Sequence, residues 1–175
     1  MYIRGPHGAP VMPRGDANII CVAGGTGLAA VYQVARDFGS NDKPAQIFAG
    51  ARSADRLYFT EECKDIAKVH IATDDGSAGF NGRVTDALRD YLETLDAETL
   101  AKTEFYNCGP EPMIHAAEAV QREFVEASQM FSAIDYTTKC GVGICGACAS
   151  PDGRRICVDG PFINTQQMTH LEQQQ

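Results

Sequence analysis

No apolar run in the 175 residues is long enough to cross a bilayer, and nothing near the N-terminus has the pattern of an export signal. Positive charge is scarce too. Fifteen Lys and Arg stand against 23 Asp and Glu, leaving a formal charge of −8. That balance argues against nucleic acid or an anionic membrane as a partner. No internal repeat is present, and His7, His70, His115 and His170 have no placement that singles one out as a proton shuttle. Seven cysteines without an export signal suggest a reducing cytoplasm, where thiols stay free to bind metal. The remaining balance is that of an ordinary globular chain, 44% hydrophobic and 22% charged, long enough for one medium domain and a small appendage.

What stands out is a crowd of thiols near the C-terminus. Cys140, Cys145, Cys148 and Cys157 follow the spacing C-x4-C-x2-C-x8-C. This opens like the plant-type [2Fe–2S] pattern, with a short run to the fourth cysteine. Iron bridged by sulfide prefers thiolate ligands, and four thiolates complete two tetrahedral irons. Gly141, Gly143 and Gly146 let the loop curl and aim amides at sulfur. Pro151, Asp152 and Gly153 read as the turn that brings Cys157 back. Two other readings stay open. A structural zinc site also uses four cysteines, although it usually shows two C-x2–4-C knuckles. Disulfides would suit a secreted chain. Of the other cysteines, Cys21, Cys63 and Cys108, the first sits in an apolar run and reads as core.

The rest of the chain alternates strands and helices. Residues 1–18 are rich in Gly and Pro and read as a connector or a frayed end. Short apolar runs at Ile19–Ala23, Gln46–Ala49, Lys68–Thr73, Thr103–Asn107 and Phe131–Tyr136 predict five buried strands. Helical spacing predicts helices over Leu28–Phe38, Ser53–Lys64, Arg83–Leu95 and Pro112–Ala127, with Ser53 as a cap. The rhythm predicts an α/β fold, a parallel doubly wound sheet over residues 19–137. Residues 138–163 form a small cluster-binding module that a metal must organise, and 164–175 a polar, mobile tail.

Gly24, Gly25, Thr26 and Gly27 fall between the first strand and the first helix. Ligands of such sheets bind beyond the C-terminal strand ends, where amides and the helix dipole attract phosphate. Gly25 and Gly27 would admit a pyrophosphate, and Thr26 adds a hydroxyl. The loop is not the G-x-G-x-x-G fingerprint, and a tight turn is the alternative reading. Three more loops face the same edge: Gly50 to Ser53 with Arg52, Asp74 to Ser77 with Asp75, and Cys108, Gly109, Pro110 through Met113. Arg52 is placed for an adenosine ribose or phosphate. Cys108 heads a helix whose N-terminus favours a thiolate, or is an inert buried thiol.

The strings G-G-T-G-L, G-A-R-S, T-D-D-G-S and Y-N-C-G-P-E-P-M resemble the pyridine-nucleotide domain of the ferredoxin-reductase superfamily. Joined to K-C-G-V-G-I-C-G-A-C and I-C-V-D-G-P-F, they resemble the iron–sulfur electron-transfer subunit of NAD-linked dihydroorotate dehydrogenase over residues 19–163. The resemblance implies five parallel strands in the order 3-2-1-4-5. NADH would lie across the loops beginning at Gly24, Gly50, Asp74 and Cys108, the last near the nicotinamide. It implies FAD on a preceding barrel, a [2Fe–2S] cluster on Cys140, Cys145, Cys148 and Cys157, and a partner catalytic subunit bearing FMN. Here the chain departs from the family, whose flavin barrel spans about 100 residues. Only I-R-G-P-H-G-A-P-V resembles a barrel end, and the flavin-binding Arg, Tyr and Ser have no match. Either the sequence is a fragment, or the barrel comes from another polypeptide, or the protein has lost flavin. Some two-electron carrier must stand between nicotinamide and cluster, because a cluster takes single electrons and nicotinamide gives two.

The same resemblance extends to subunits of hydrogenases, sulfide dehydrogenases and ferredoxin–NADP transhydrogenases. The short x8 gap and D-G-P-F favour the dihydroorotate type. Arg52 and Arg56 leave NADP open, and the family points to NAD. A reading of another class is a zinc-stabilised interaction module in which the glycine loops are turns.

Overall fold

The computed structural model describes residues 4–40, 42–134, 136–150 and 153–167. In chain order the elements are β1 (Asn18–Gly24), α1 (Gly27–Phe38), β2 (Ala45–Ala51), α2 (Thr60–Lys64), β3 (Ala67–Thr73), β4 (Phe80–Asn81) and α3 (Val84–Leu92). There follow α4 (Ala97–Ala101), β5 (Thr103–Cys108), α5 (Glu111–Gln121), β6 (Met130–Ala133), α6 (Ile156–Asp159) and β7 (Ile163–Asn164).

The sheet order is β4-β3-β2-β1-β5-β6-β7. The five predicted strands are its middle, β3-β2-β1-β5-β6, mutually parallel. The expectation of a five-stranded parallel sheet is nonetheless corrected. Two-residue β4 adds a parallel edge and β7 an antiparallel one, so the sheet is seven-stranded and mixed. Neither edge is long enough to leave an alternating pattern in sequence.

Strand residues alternate between two apolar layers, as the pleat requires. Ile19, Cys21 and Ala23 meet α1 through Leu28, Val31 and Val34, together with Ile47 and Tyr106. Ile20 and Val22 face the other way, onto Phe48, Leu88, Leu92, Phe105 and Met130. Cys21 is core, and burial pushes its thiol up. Each fully buried Leu or Ile contributes roughly 2 kcal/mol.

Several predicted elements are shorter. Helices end at Leu92 and Gln121 rather than Leu95 and Ala127, and the last parallel strand ends at Ala133. The helix expected over Ser53–Lys64 is broken into a 3-10 turn at Ala54–Arg56 and α2. Phe59 lies between them at φ 61, a left-handed turn no helix can contain, with its ring edge-on to Tyr32 at 4.9 Å. Ser53 does not cap; its hydroxyl donates to Asp55.

A buried polar network ties β5, α5, β6 and the residue after β7. Asn107 and Gln121 exchange amide hydrogen bonds at 3.0 and 2.7 Å. Asn107 also donates to Ser132, which donates to Glu118, and Thr165 donates to the same carboxylate. Against the expectation of a mobile tail from 164, Asn164 is in β7 and Thr165 is buried. Residues 168–175 of it lie outside the described residues. At the other end, the stretch read as connector or frayed end is tied down. Arg14 donates to buried Glu104 at 2.8 Å, which also accepts from Tyr106.

Candidate functional site

The phosphate loop stands where the sequence places it. β1 ends at Gly24, Gly25 takes φ 54, and α1 begins at Gly27. Thr26 is the N-cap residue but gives no side-chain cap, and the first turn carries no acid. The positive end of α1 is thus left for an external anion. Gly24 packs under Met113 and Pro110, Gly27 against the Cys108 carbonyl, and Gly109 against the Gly24 backbone. Gly24, Gly27, Cys108, Gly109, Pro110 and Met113 therefore form one contiguous floor.

A shallow cleft open to solvent lies beside this floor, lined by Ala23, Gly25, Leu28, Ala49, Gly50, Arg56, Leu57 and Tyr58. Arg52, Asp74 and Asp75 are grouped apart, through their backbones: the Asp74 amide donates to Ala51 and the Asp75 amide to Arg52. Asp75 accepts from the Ser77 amide and hydroxyl, which hold its carboxyl below the usual range. Sequence reasoning missed Tyr58. Its hydroxyl is hydrogen-bonded to Thr26, and desolvation raises its pKa. An exposed aromatic in a loop leaves no local pattern; only its place after β2 hints at it.

The cysteine loop is drawn together by its own amides. Gly141, Gly143 and Gly146 all take positive φ, at 74, 75 and 69. Ile144 and Cys145 amides donate to the Cys140 sulfur at 3.3 and 3.4 Å, Gly143 to Cys157 at 3.2 Å, and Cys157 to Cys148 at 3.5 Å. The hydrogen bonds to the Cys140 sulfur, led by that of the Val142 amide, hold its thiol down to about 6. The Cys157 amide lowers Cys148, whereas burial raises Cys157. Of the expected turn, Pro151 and Asp152 lie outside the described residues; Gly153 donates back to Ser150.

Cys140 is hydrogen-bonded with Cys145 and Cys148 with Cys157, and Cys140 also acts electrostatically on both Cys148 and Cys157. Among the described residues no three Cys, His, Asp or Glu converge on one metal ion. Two thiols apiece for two irons is the demand of a [2Fe–2S] cluster, and sulfurs already accepting amide hydrogens are prepared for negative charge. The donor set fits that group.

The family described as the oxidoreductase NAD-binding domain matches residues 21–119, and the iron–sulfur cluster binding domain of dihydroorotate dehydrogenase B matches residues 137–169. A relative from Thermococcus kodakarensis, named a probable dihydroorotate dehydrogenase B (NAD(+)) electron transfer subunit, is 33% identical over 98% of this chain and 68% of its own length. The chain belongs to this family of electron transfer subunits. Likewise named are relatives from Methanocaldococcus jannaschii, 32% identical over 92% of this chain, and Methanocella arvoryzae, 35% identical over 97%. The chain spans 60% and 64% of those two. A solved structure of an NADH-dependent reduced ferredoxin–NADP oxidoreductase, described for flavin-based electron bifurcation, is similar at TM-score 0.73 and 31% identity, covering 93% of this chain and 58% of that one. A ferredoxin reductase of a carbazole dioxygenase is similar at TM-score 0.52 and 25% identity, over 69% of this chain and 36% of that one. Family members of this kind are oxidoreductase subunits with nucleotide and iron–sulfur domains. Among the described residues no helix is long and apolar enough to cross a membrane.

Proposed function

We propose that this chain relays electrons between NAD(H), a flavin and a [2Fe–2S] cluster, as the electron transfer subunit of a dihydroorotate dehydrogenase in pyrimidine biosynthesis. The observation that carries the reading is the coexistence, in one chain, of an uncapped glycine-loop helix end and a loop of paired, amide-bonded thiols.

The residues divide the work. Gly24, Gly25, Thr26 and Gly27 hold the pyrophosphate at the α1 dipole. Gly50, Arg52, Asp74 and Asp75 border the adenosine end, and Cys108, Gly109, Pro110 and Met113 seat the nicotinamide. Tyr58 lies across the cleft and shields the bound nucleotide from water. Cys140, Cys145, Cys148 and Cys157 hold the cluster, and the amides around Cys140 favour its thiolate. When bound, the cluster supplies one-electron exchange and a flavin the change from hydride to single electrons. That flavin is FAD held by a barrel domain, and the catalytic partner carries FMN. Residues 19–137 act as the nucleotide domain and 138–163 as the cluster module. The free thiols suit a cytoplasmic setting.

A second partner reading has a specific basis. The similarity to the ferredoxin–NADP oxidoreductase, with Arg56 lining the cleft, supports a transhydrogenase role with NADP. One preparation separates these readings. The chain is purified anaerobically with whatever accompanies it, and its spectrum, metal and flavin content and reduction by NADH, NADPH and dihydroorotate are measured. Two irons and two sulfides per chain, with dihydroorotate-dependent reduction of the assembly, are expected. One zinc in a colourless protein overturns the cluster reading; dihydroorotate inertness with NADPH turnover overturns the partner.

A further inference from the structure

The N-terminal segment before β1 does not merely lead into the nucleotide domain. It crosses the cysteine loop and bonds to both of its ends. The Arg4 guanidinium donates to the carbonyl of Lys139 at 2.8 Å and to that of Cys140. Three residues on, the His7 ring covers Gly141 so closely that a Cβ there would lie 2.5 Å from its Cε1. The Gly8 amide then donates to the carbonyl of Cys157 at 2.8 Å, and that of Ala9 to Gly160 at 2.6 Å. Gly8 sits at φ 89, where a Cβ would be 2.2 Å from the Gly160 carbonyl. Cys140 and Cys157 are the first and last of the four thiols and belong to different pairs. The segment therefore ties together the two halves of the loop, which also meet where the Arg155 guanidinium donates to the Gly143 carbonyl at 3.0 Å and the Gly143 amide to the Cys157 sulfur at 3.2 Å.

We infer that Arg4–Ala9 is a strap completing the cluster site, and that Arg4 is a positioning residue that raises the reduction potential of the cluster held by Cys140, Cys145, Cys148 and Cys157. This rests on the cluster reading above. The physical basis is charge and order. Potentials of such clusters follow local charge, hydrogen bonding to sulfur and solvent access. A guanidinium is always protonated and is held here against the carbonyl of a ligand residue. It stabilises the added electron of the reduced form. By fixing the Lys139 and Cys140 carbonyls it also fixes the peptides leading into the amides that bond the Cys140 sulfur. The part of His7 and Gly8 is to keep the loop closed and shielded.

The test uses the protein purified anaerobically, with its flavin partner where that copurifies. Iron and sulfide content, an EPR-monitored potentiometric titration and bleaching of visible absorbance by a chelator are measured for wild type, Arg4→Gln, Arg4→Lys and Gly8→Ala. The cluster in Arg4→Gln is expected to have a lower midpoint potential, with Arg4→Lys returning most of the difference, while NADH binding stays at wild-type strength. Gly8→Ala, which changes no charge, is expected to bleach several-fold faster. Loss of iron from Arg4→Gln, restored by Arg4→Lys with NADH binding intact, bears the strap out as well. Equal potentials in wild type and Arg4→Gln, with equal bleaching in Gly8→Ala, overturn the inference and leave the cluster reading standing. Wild-type protein that holds no iron after reconstitution overturns the cluster reading itself.

Discussion

The carbonyl oxygen of Cys108 lies 2.1 Å from where a Cβ on Gly27 would be. The two nucleotide loops, after β1 and after β5, are therefore in backbone contact, and only a hydrogen fits between them. Gly27→Ala must push the Cys108–Met113 loop away. Overpacking against rigid backbone costs about 3 kcal/mol. A fall of that size in a urea unfolding curve is expected, with NADH affinity weakened at least tenfold.

Gly25 differs in kind. Nothing lies within 4 Å of a Cβ there, but its φ of 54 is one that branched side chains resist. Gly25→Val should cost about 2 kcal/mol in the free protein through backbone strain. Its isopropyl group would also project where the pyrophosphate is read to sit. A fluorescence titration with NADH should show affinity falling more than Gly27→Ala loses for equal loss of stability.

Cys145 is exposed and, among the described residues, belongs to neither buried apolar cluster. Cys145→Ser should lose iron, sulfide and visible absorbance while keeping NADH binding and the cooperative unfolding of the sheet. Collapse of the nucleotide domain on this change would refute the division into two working parts.

Asn107 and Gln121 satisfy one another in the interior. Asn107→Ala leaves the Gln121 amide without its partner, and a buried unsatisfied group costs about 2 kcal/mol. Asn107→Ala together with Gln121→Leu should recover part of that loss, which a double-mutant cycle in urea would read.

His70 is stacked on Phe48 at 4.4 Å and bonded to Gln46 at 2.9 Å. Burial, and then the charge of Lys68, pull its pKa below the ordinary 6.5. As pH falls through 6.5 the unfolded chain takes up this proton before the folded one does. Folding is then weakened progressively until the folded value is passed. His70→Phe keeps the stack and removes the titration. Its unfolding midpoint should fall less than that of wild type between pH 7.5 and pH 5.5.

Much of this architecture is legible in sequence because it is local. Ile19–Ala23 and Gln46–Ala49 are apolar runs, and Leu28, Val31 and Ala35 mark one face of α1, so the five middle strands and three main helices could be read directly. The cysteine spacing carries its own chemistry. What escaped is long-range. Phe59 takes a left-handed turn without the glycine that would announce it, so one helix was read where two short pieces stand. Arg4 gives no hint that its partners lie 135 residues away. Tyr58 and Thr26 are joined only once β2 and β1 are side by side.

The antiparallel β7 closes the outer edge of β6 with two residues, and it follows directly on the cysteine loop. A protein stripped of iron loosens the anchor of that short cover. The backbone groups of β6 would then be open to pair with another chain. Failure to load iron would thus show itself first as edge-to-edge self-association, and growth of light scattering would precede loss of the folded sheet.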